Sequence, residues 1–374
     1  MSAIPFLDLG AQDAAIGDEV RAAIAEVLAS RQFILGPHVE RFERAMADYC
    51  GVRHAIGVAS GTDALVLALG AAGAGPGTSV VTSPFSFFAS ASSILRTGAR
   101  VVFADVDPDT LNLAPAAVEA AVAGAGGTVR GLVPVHLFGR LAPMAELGAF
   151  ARRHGLFVVE DAAQAVGARD GGTAAGAFGL AGCLSFYPSK NLGALGDGGM
   201  VLTSDDAVAA RVRQERHQGQ TAPYEHASLG LCSRLDALQA AALGAKLRHL
   251  DAWNRARRRV AGWYDESFRA HRLTGAPVVT PVPAGEAHVF HQYVVRVPDR
   301  DRLRAALTDA GIGTQVYYRR PLHRQPALEA LGYREGAFPE SERAAREVLA
   351  LPIYAELRRE QVETVVEAIA RFYA

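Results

Sequence analysis

The sequence predicts an α/β fold built on a mostly parallel sheet, followed by a smaller α+β unit. Three observations carry that prediction. Short apolar runs alternate with helical segments from residue 55 to about residue 190, the mark of repeated βαβ units. Two of the runs end in reactive groups: Leu156 to Val159 leads into Glu160 and Asp161, and Cys183 to Tyr187 leads into Pro188, Ser189 and Lys190 before a glycine-rich turn. The alternation stops after residue 228, where a long helical stretch begins. Buried parallel strands read as short apolar runs, and ligands in open α/β sheets sit beyond their carboxyl ends. A carboxylate, Asp161, and an amine, Lys190, are therefore expected to face one crevice.

Composition narrows the function classes. A chain of 374 residues can hold a large core and is long enough for about two domains. The formal net charge of −1 argues against nucleic acid or an anionic membrane surface as a partner. Cys50, Cys183 and Cys232 are odd in number and without CxxC spacing, which fits a reducing compartment rather than a disulfide framework. The start, MSAIPFLDLGAQDAA, lacks a basic flank leading into an apolar run, and no stretch reaches the roughly 18 apolar residues of a membrane span. The expectation is a cytoplasmic protein.

In order, residues 18–29 place Val20, Ile24, Val27 and Leu28 on one helix face. A turn at Gly36-Pro37 opens a second helix, through Phe42, Met46 and Tyr49, that stops at Gly51. The strand-like run 55–59 then meets Ser60, a good N-cap for the alanine- and leucine-rich helix behind it. SVVTSPF, VVFADVD, GLVPVHLFG and LFVVEDAA follow as strands, separated by the helical segments SASSILRTG, 115–123 and APMAELGAFARRHG. Right-handed crossovers put their C-terminal ends on one edge. Residues 233–268 read as one long helix or two in succession, and a Pro- and Gly-rich segment, 274–288, separates them from a strand, HQYVVRV. A helix ending at Gly311 and two more helical segments, ESERAAREVLALPIY and EQVETVVEAIARFYA, complete the chain. The division falls at residues 1–250, a large domain, and 251–374, a small one.

Several residues could carry chemistry. Ser60-Gly61-Thr62 opens a helix whose first amides are unpaired and whose dipole favours an anion, although the triplet alone is more simply a capped helix. Asp161, directly after a buried strand, needs a cation nearby or serves as a helix cap. A protonated pyridine nitrogen, as in pyridoxal phosphate, would be such a cation. Lys190 sits among Phe186, Tyr187 and Leu192, where an amine loses its proton readily. It is one of only two lysines in the chain, the other being Lys246, so it is poor material for a filler surface cation. Phe87 could stack on a planar ring or fill the core. His288 and His291, three apart on an expected strand, would point to opposite faces without a third ligand, so no metal is expected. The run Arg255, Arg257, Arg258 and Arg259 reads as the solvated face of a helix whose apolar side carries Trp253, Val260 and Trp263. No GxGxxG, GxxxxGK[ST] or GxSxG pattern supports dinucleotide, NTP or α/β-hydrolase chemistry.

Taken together, FILGPHVERFE, SGTDAL, SPFSFFASASSI, VFADVDPDTLNL, VEDAAQAVGA, SFYPSKNLGALGDGG and SRLDALQAA resemble the nucleotide-sugar aminotransferases of the DegT/StrS type, which are fold-type-I pyridoxal phosphate enzymes. The resemblance runs from about residue 4 to the C-terminus. It implies a seven-stranded, mostly parallel sheet sandwiched by helices. It also implies that Lys190 forms the internal aldimine and shuttles the proton, that Asp161 pairs with the pyridine nitrogen, and that Gln164 bonds the ring hydroxyl. Gly61, Thr62 and Ser185 match phosphate donors, and Phe87 matches the stacked aromatic. Tyr318 and His323, in VYYRRPLH, fall near the family's substrate-side loop. Family members are homodimers that share residues between their two sites.

Two positions depart from the family pattern. Cys232 stands where an asparagine commonly reaches the partner's cofactor phosphate, and a thiol is a weak donor. Where RxHG is common, this chain reads Arg216-His217-Gln218-Gly219, with Gln218 in the histidine's place. The reaction implied is ping-pong transfer of an amino group from L-glutamate to a keto-sugar carried on UDP or dTDP, with a 3-keto hexose or hexuronate ahead of a 4-keto sugar. Relatives that dehydrate a sugar at C-3 carry histidine in place of the lysine, so Lys190 argues against that chemistry. A catalytically silent, regulatory pyridoxal phosphate protein on the same fold is the contrasting reading.

Overall fold

The computed structural model describes residues 3–374; residues 1 and 2 of the expected large domain lie outside the described residues. Seven strands form the main sheet: β1 (His54–Val58), β2 (Ser79–Thr82), β3 (Arg100–Phe103), β4 (Val129–Val133), β5 (Phe157–Asp161), β6 (Ala181–Ser185) and β7 (Gly199–Thr203). Their order across the sheet is β1-β7-β6-β5-β4-β2-β3. β7 runs antiparallel to both neighbours, and the remaining pairs are parallel. The sequence reading did not include β7. Its run GMVLT follows directly on the glycine-rich turn, and nothing local announces that it returns between the first and sixth strands.

Strand alternation divides the core into two faces. Leu184, Met200 and Leu202 pack with the helices Pro37–Cys50 and Ala237–Leu247, whereas Cys183 and Val201 pack with the helix Gly61–Ala71. The same alternation separates the two acids that end β5. Glu160 is fully buried and accepts hydrogen bonds from His136 Nε2 at 2.8 Å and from the amides of Gly176, Phe178 and Gly179 at 2.8, 2.7 and 2.7 Å. His136 Nδ1 accepts from the Ala142 amide, which leaves Nε2 as the donor to the carboxylate. Glu160 is thus a structural clasp. Its replacement by alanine strands four donors, those of His136 and Gly176 buried, and is expected to cost about 3–5 kcal/mol, measured by urea unfolding of the cofactor-free protein.

A separate apolar cluster holds Ile4 together with side chains from Val260 to Ile369. It is built on the helices Leu250–Ala270 and Arg359–Tyr373 and on the antiparallel pair β8 (Tyr293–Arg296) and β9 (Val348–Leu351). Several local expectations change here. The expected helical stretch ESERAAREVLALPIY is a helix only over Pro339–Glu347, after which its buried VLAL run pairs as β9. The expected strand HQYVVRV begins at Tyr293, so His288 and His291 precede it rather than lying on it. Residues 233–268 contain two helices, Ala237–Leu247 and all but the last two residues of Leu250–Ala270. In the second, Arg257 is not solvated: it is buried and its Nη1 donates to the carbonyls of Phe290, His291 and Ile353. Burial lowers its pKa to about 10.

The first helix spans Leu9–Ser30, nine residues longer at its start than expected, because Asp8 caps it with a bond from the Ala11 amide. Val20 and Val27 are buried as expected, but Leu28 is exposed. No helix among the described residues is long and apolar enough to cross a membrane.

Candidate active site

A cavity of about 710 Å³ opens at the carboxyl edge of the sheet, where β1, β2, β5 and β6 all end. Gly61, Thr62, Phe87, Asp161, Gln164, Ser185, Lys190 and Tyr318 all line it. The elements that deliver them are local ones. β1 runs out at Val58, and Ser60 caps the next helix through a 3.1 Å bond from the Asp63 amide. That leaves Gly61 and Thr62 at the positive end of the helix dipole. Glycine is required at 61, since a Cβ there would lie 2.7 Å from Ser185 Cβ. The close approach brings the helix start and the Ser185 hydroxyl to one corner of the cavity. This corner has the form of a phosphate cradle. Gly61→Ala is expected to weaken binding of a phosphate-bearing ligand at least roughly tenfold, read by equilibrium dialysis, because the added carbon must push the cradle apart.

Asp161 ends β5 with only 5% exposure. Its Oδ2 accepts from Ser90 Oγ at 2.7 Å, and Ser90 in turn contacts Ser86 Oγ at 2.8 Å. Its Oδ1 accepts from the Ala163 amide at 3.3 Å. No arginine, lysine or histidine forms an ion pair with it among the described residues, so a buried carboxylate faces the cavity with hydroxyl and amide partners only. A cationic ring nitrogen would satisfy it.

Lys190 follows β6 in a tight turn held by bonds from the Lys190 amide to the Tyr187 carbonyl and from the Ala194 amide to the Phe186 carbonyl, 2.8 and 2.7 Å. The chain's other lysine supports the same turn: Lys246, only 7% exposed, donates to the Gly193 carbonyl at 2.8 Å. The Lys190 amine makes no hydrogen bond among the described residues, and the residue lines the cavity. The protein around it lowers its pKa to about 8, against the opposing pull of Asp161. Such an amine is uncharged in part at neutral pH and can act as a nucleophile.

The far wall is aromatic and amide. Gln164 Oε1 accepts from the Phe138 amide at 2.6 Å, and its Nε2 donates to Tyr318 Oη at 3.1 Å. One Nε2 hydrogen is left for a ligand. The Tyr318 ring lies 6.1 Å from Phe85 and 6.4 Å from Phe87, and burial pushes its hydroxyl pKa up. Phe87 is 56% exposed, with a free face where a planar ring could lie.

His323 is corrected by the structure. It is 2% exposed, bonded through Nε2 to Glu342 Oε1 at 3.0 Å, and does not reach the cavity. His291 and Gln292 do line it, and sequence reasoning did not place them there. Both are buried; His291 Nδ1 and Gln292 Oε1 have no partner among the described residues, and Nε2 of each meets the other at 3.3 Å. Burial, with Lys190 and Arg257 nearby, holds His291 far below its usual pKa, so it is neutral. The available signal was a polar His-Gln pair set directly before a buried strand. Cys232 and Gln218 lie away from this cavity; the Cys232 thiol accepts from Arg234 Nη2 at 2.9 Å, and Arg234 Nη1 meets His217 Nδ1 at 2.7 Å.

Comparison with known proteins shows the family. The family described as the DegT/DnrJ/EryC1/StrS aminotransferase family matches residues 14–370. The chain is 48% identical over 371 residues to the pleiotropic regulatory protein of Geobacillus stearothermophilus, covering 99% of this chain and 98% of that one. It is 43% identical, over the same shares, to the UDP-N-acetyl-3-dehydro-alpha-D-glucosamine 3-aminotransferase of Acidithiobacillus ferrooxidans. The crystal structure of S. venezuelae DesV in complex with a ketimine intermediate superposes with a TM-score of 0.95 at 42% identity, covering 100% of this chain and 99% of that one. With the match spanning nearly every residue and the same fold in a solved structure, the chain belongs to the DegT/DnrJ/EryC1/StrS aminotransferase family.

Proposed function

We propose that this enzyme is a pyridoxal phosphate-dependent aminotransferase that moves the amino group of L-glutamate onto a keto-sugar linked to UDP or dTDP. The observation that carries the reading is the meeting of three groups in one cavity: the unpaired carboxylate of Asp161, the softened amine of Lys190 and the Gly61–Ser185 cradle. They fit the ring nitrogen, the aldehyde and the phosphate of that cofactor. When bound, pyridoxal phosphate supplies an electron sink for the carbon that carries the amine. Asp161 would keep the ring nitrogen protonated. Lys190 Nζ would hold the resting cofactor and would then move the proton taken from the donor carbon. Gly61, Thr62 and Ser185 would hold the phosphate, Phe87 would cover the ring face and Gln164 would donate to the ring hydroxyl. Tyr318, tied to Gln164, belongs to the acceptor side.

A 3-keto sugar is the preferred acceptor, supported by the relative named for a 3-dehydro-glucosamine; a 4-keto sugar is the nearer rival. The working unit is a homodimer in the cytoplasm. Exposed Leu28, Phe33, Ile34, Leu195 and Leu229 support a partner surface, and the three free thiols support a reducing compartment. We take residues 251–374 as the small domain, on the strength of their own apolar cluster.

The regulatory reading is favoured by one observation, the name of the Geobacillus stearothermophilus relative. Lys190 with its lowered pKa counts against catalytic silence. The test is spectroscopic. The cofactor's visible band should bleach when glutamate is added and return with one member of a panel of UDP- and dTDP-linked keto-sugars. A band indifferent to glutamate, with no transfer to any sugar, selects the silent reading.

A further inference from the structure

The cavity is poor in positive charge for an acceptor of this kind. Among the described residues lining it, Lys190 is the sole lysine or arginine, while Asp161 and Asp197 are acidic. A nucleotide-linked sugar brings two further phosphates, and the cradle at Gly61 has room for one anion corner only. A diphosphate then needs cations from outside this lining.

The chain leaving the cavity wall supplies them. Arg319 and Arg320 directly follow Tyr318, and both are exposed. Neither forms an ion pair among the described residues, whereas nearby Arg324 is paired with Glu335 at 3.5 Å. Their backbone is fixed on both sides. Tyr318 is held by Gln164 and by the Phe85 ring, and the Leu322 amide donates to the Pro84 carbonyl at 2.6 Å, with Leu322 itself buried. Gln325 Nε2 donates to the Arg320 carbonyl at 3.4 Å. Two guanidinium groups without an ion pair thus stand on a three-residue bridge, residues 319–321, that leaves the cavity-lining Tyr318 and is pinned at both ends. A planar fork of donors is the side chain that best matches phosphate oxygens.

We propose that Arg319 and Arg320 grip the diphosphate of the nucleotide-linked acceptor at the mouth of the cavity. The proposal rests on the acceptor class given above. It locates the part of the acceptor remote from the reacting carbon, so its loss falls on binding rather than on chemistry.

The experiment uses the full-length, cofactor-loaded enzyme and the double variant Arg319→Ala/Arg320→Ala. KM for the keto-sugar nucleotide should rise roughly 10- to 100-fold, the range for charge-assisted hydrogen bonds, with kcat changed less than about threefold. Binding of UDP and dTDP, measured by calorimetry, should weaken by a similar factor. Arg319→Lys/Arg320→Lys should recover part of the loss, since an ammonium keeps the charge but not the fork. Unchanged KM and unchanged UDP and dTDP binding overturn the proposal. So does an equal loss in glutamate affinity in the half-reaction, which would make the pair a donor-carboxylate grip. A parent enzyme that transaminates no sugar of the panel counts against the proposed function instead, and the calorimetry still reads the arginines separately.

Discussion

Replacing Lys190 by alanine is expected to lower amino transfer from glutamate by roughly 10⁴-fold, the upper range for a positioned proton-transfer group. The amine is the one nucleophile in the cavity whose environment frees it from its proton, and no other lysine is near enough to substitute, because Lys246 is committed to the Gly193 carbonyl. Cofactor should still bind, since the phosphate cradle and Asp161 are untouched. Lys190→Arg should be equally inactive, because a guanidinium keeps its proton at any accessible pH. The parent protein has a matching pH signature. Below about 8 the cofactor-free amine is protonated, and above it the free base dominates. The rate of pyridoxal phosphate capture should therefore rise with pH, roughly tenfold from pH 7 to pH 9. Stopped-flow absorbance reads both effects. Turnover above about one hundredth of the parent in Lys190→Ala would remove Lys190 from its role.

Asp161→Asn is expected to cost about 10²- to 10³-fold in kcat, the scale seen when one preorganised charge-stabilising group is lost. The amide keeps the carboxylate's shape and can still accept from Ser90, so the change is electrostatic. A second readout separates this from simple damage. Asp161 pulls the Lys190 pKa upward, because a nearby negative charge favours the ammonium form. Removing that charge must lower the pKa further, and the pH profile of cofactor capture should move to lower pH. A shift in the opposite direction, or no shift, would show that the two groups are not coupled across the cavity. Ser90→Ala serves as the control: it removes a hydrogen bond and leaves the charge.

Much of the proposed site is legible in the sequence, and for a local reason. Asp161 and Ser185 are each the last residue of a strand, and Gly61 is the first residue of a helix. Apolar runs, caps and glycines mark such ends within a few residues. The same reasoning failed where the decisive contact was distant. His291 and His323 are both single histidines in the C-terminal third, yet one meets Lys190's cavity and the other meets Glu342. Arg257 looks like its neighbours Arg255, Arg258 and Arg259, but only its position on the helix meets three carbonyls. Helical periodicity could not rank four basic residues by burial.

By itself, then, the sequence determined the α/β alternation, the acid and the amine at strand ends, and the phosphate-ready helix start, because each depends on contacts a few residues long. Only the tertiary structure decided that β7 inserts between β1 and β6, that Glu160 turns inward to His136 while Asp161 faces the cavity, and which histidine lies beside Lys190. Those outcomes come from packing between segments far apart in the chain, where neighbouring side chains on a strand face opposite ways and burial depends on what the other segment brings.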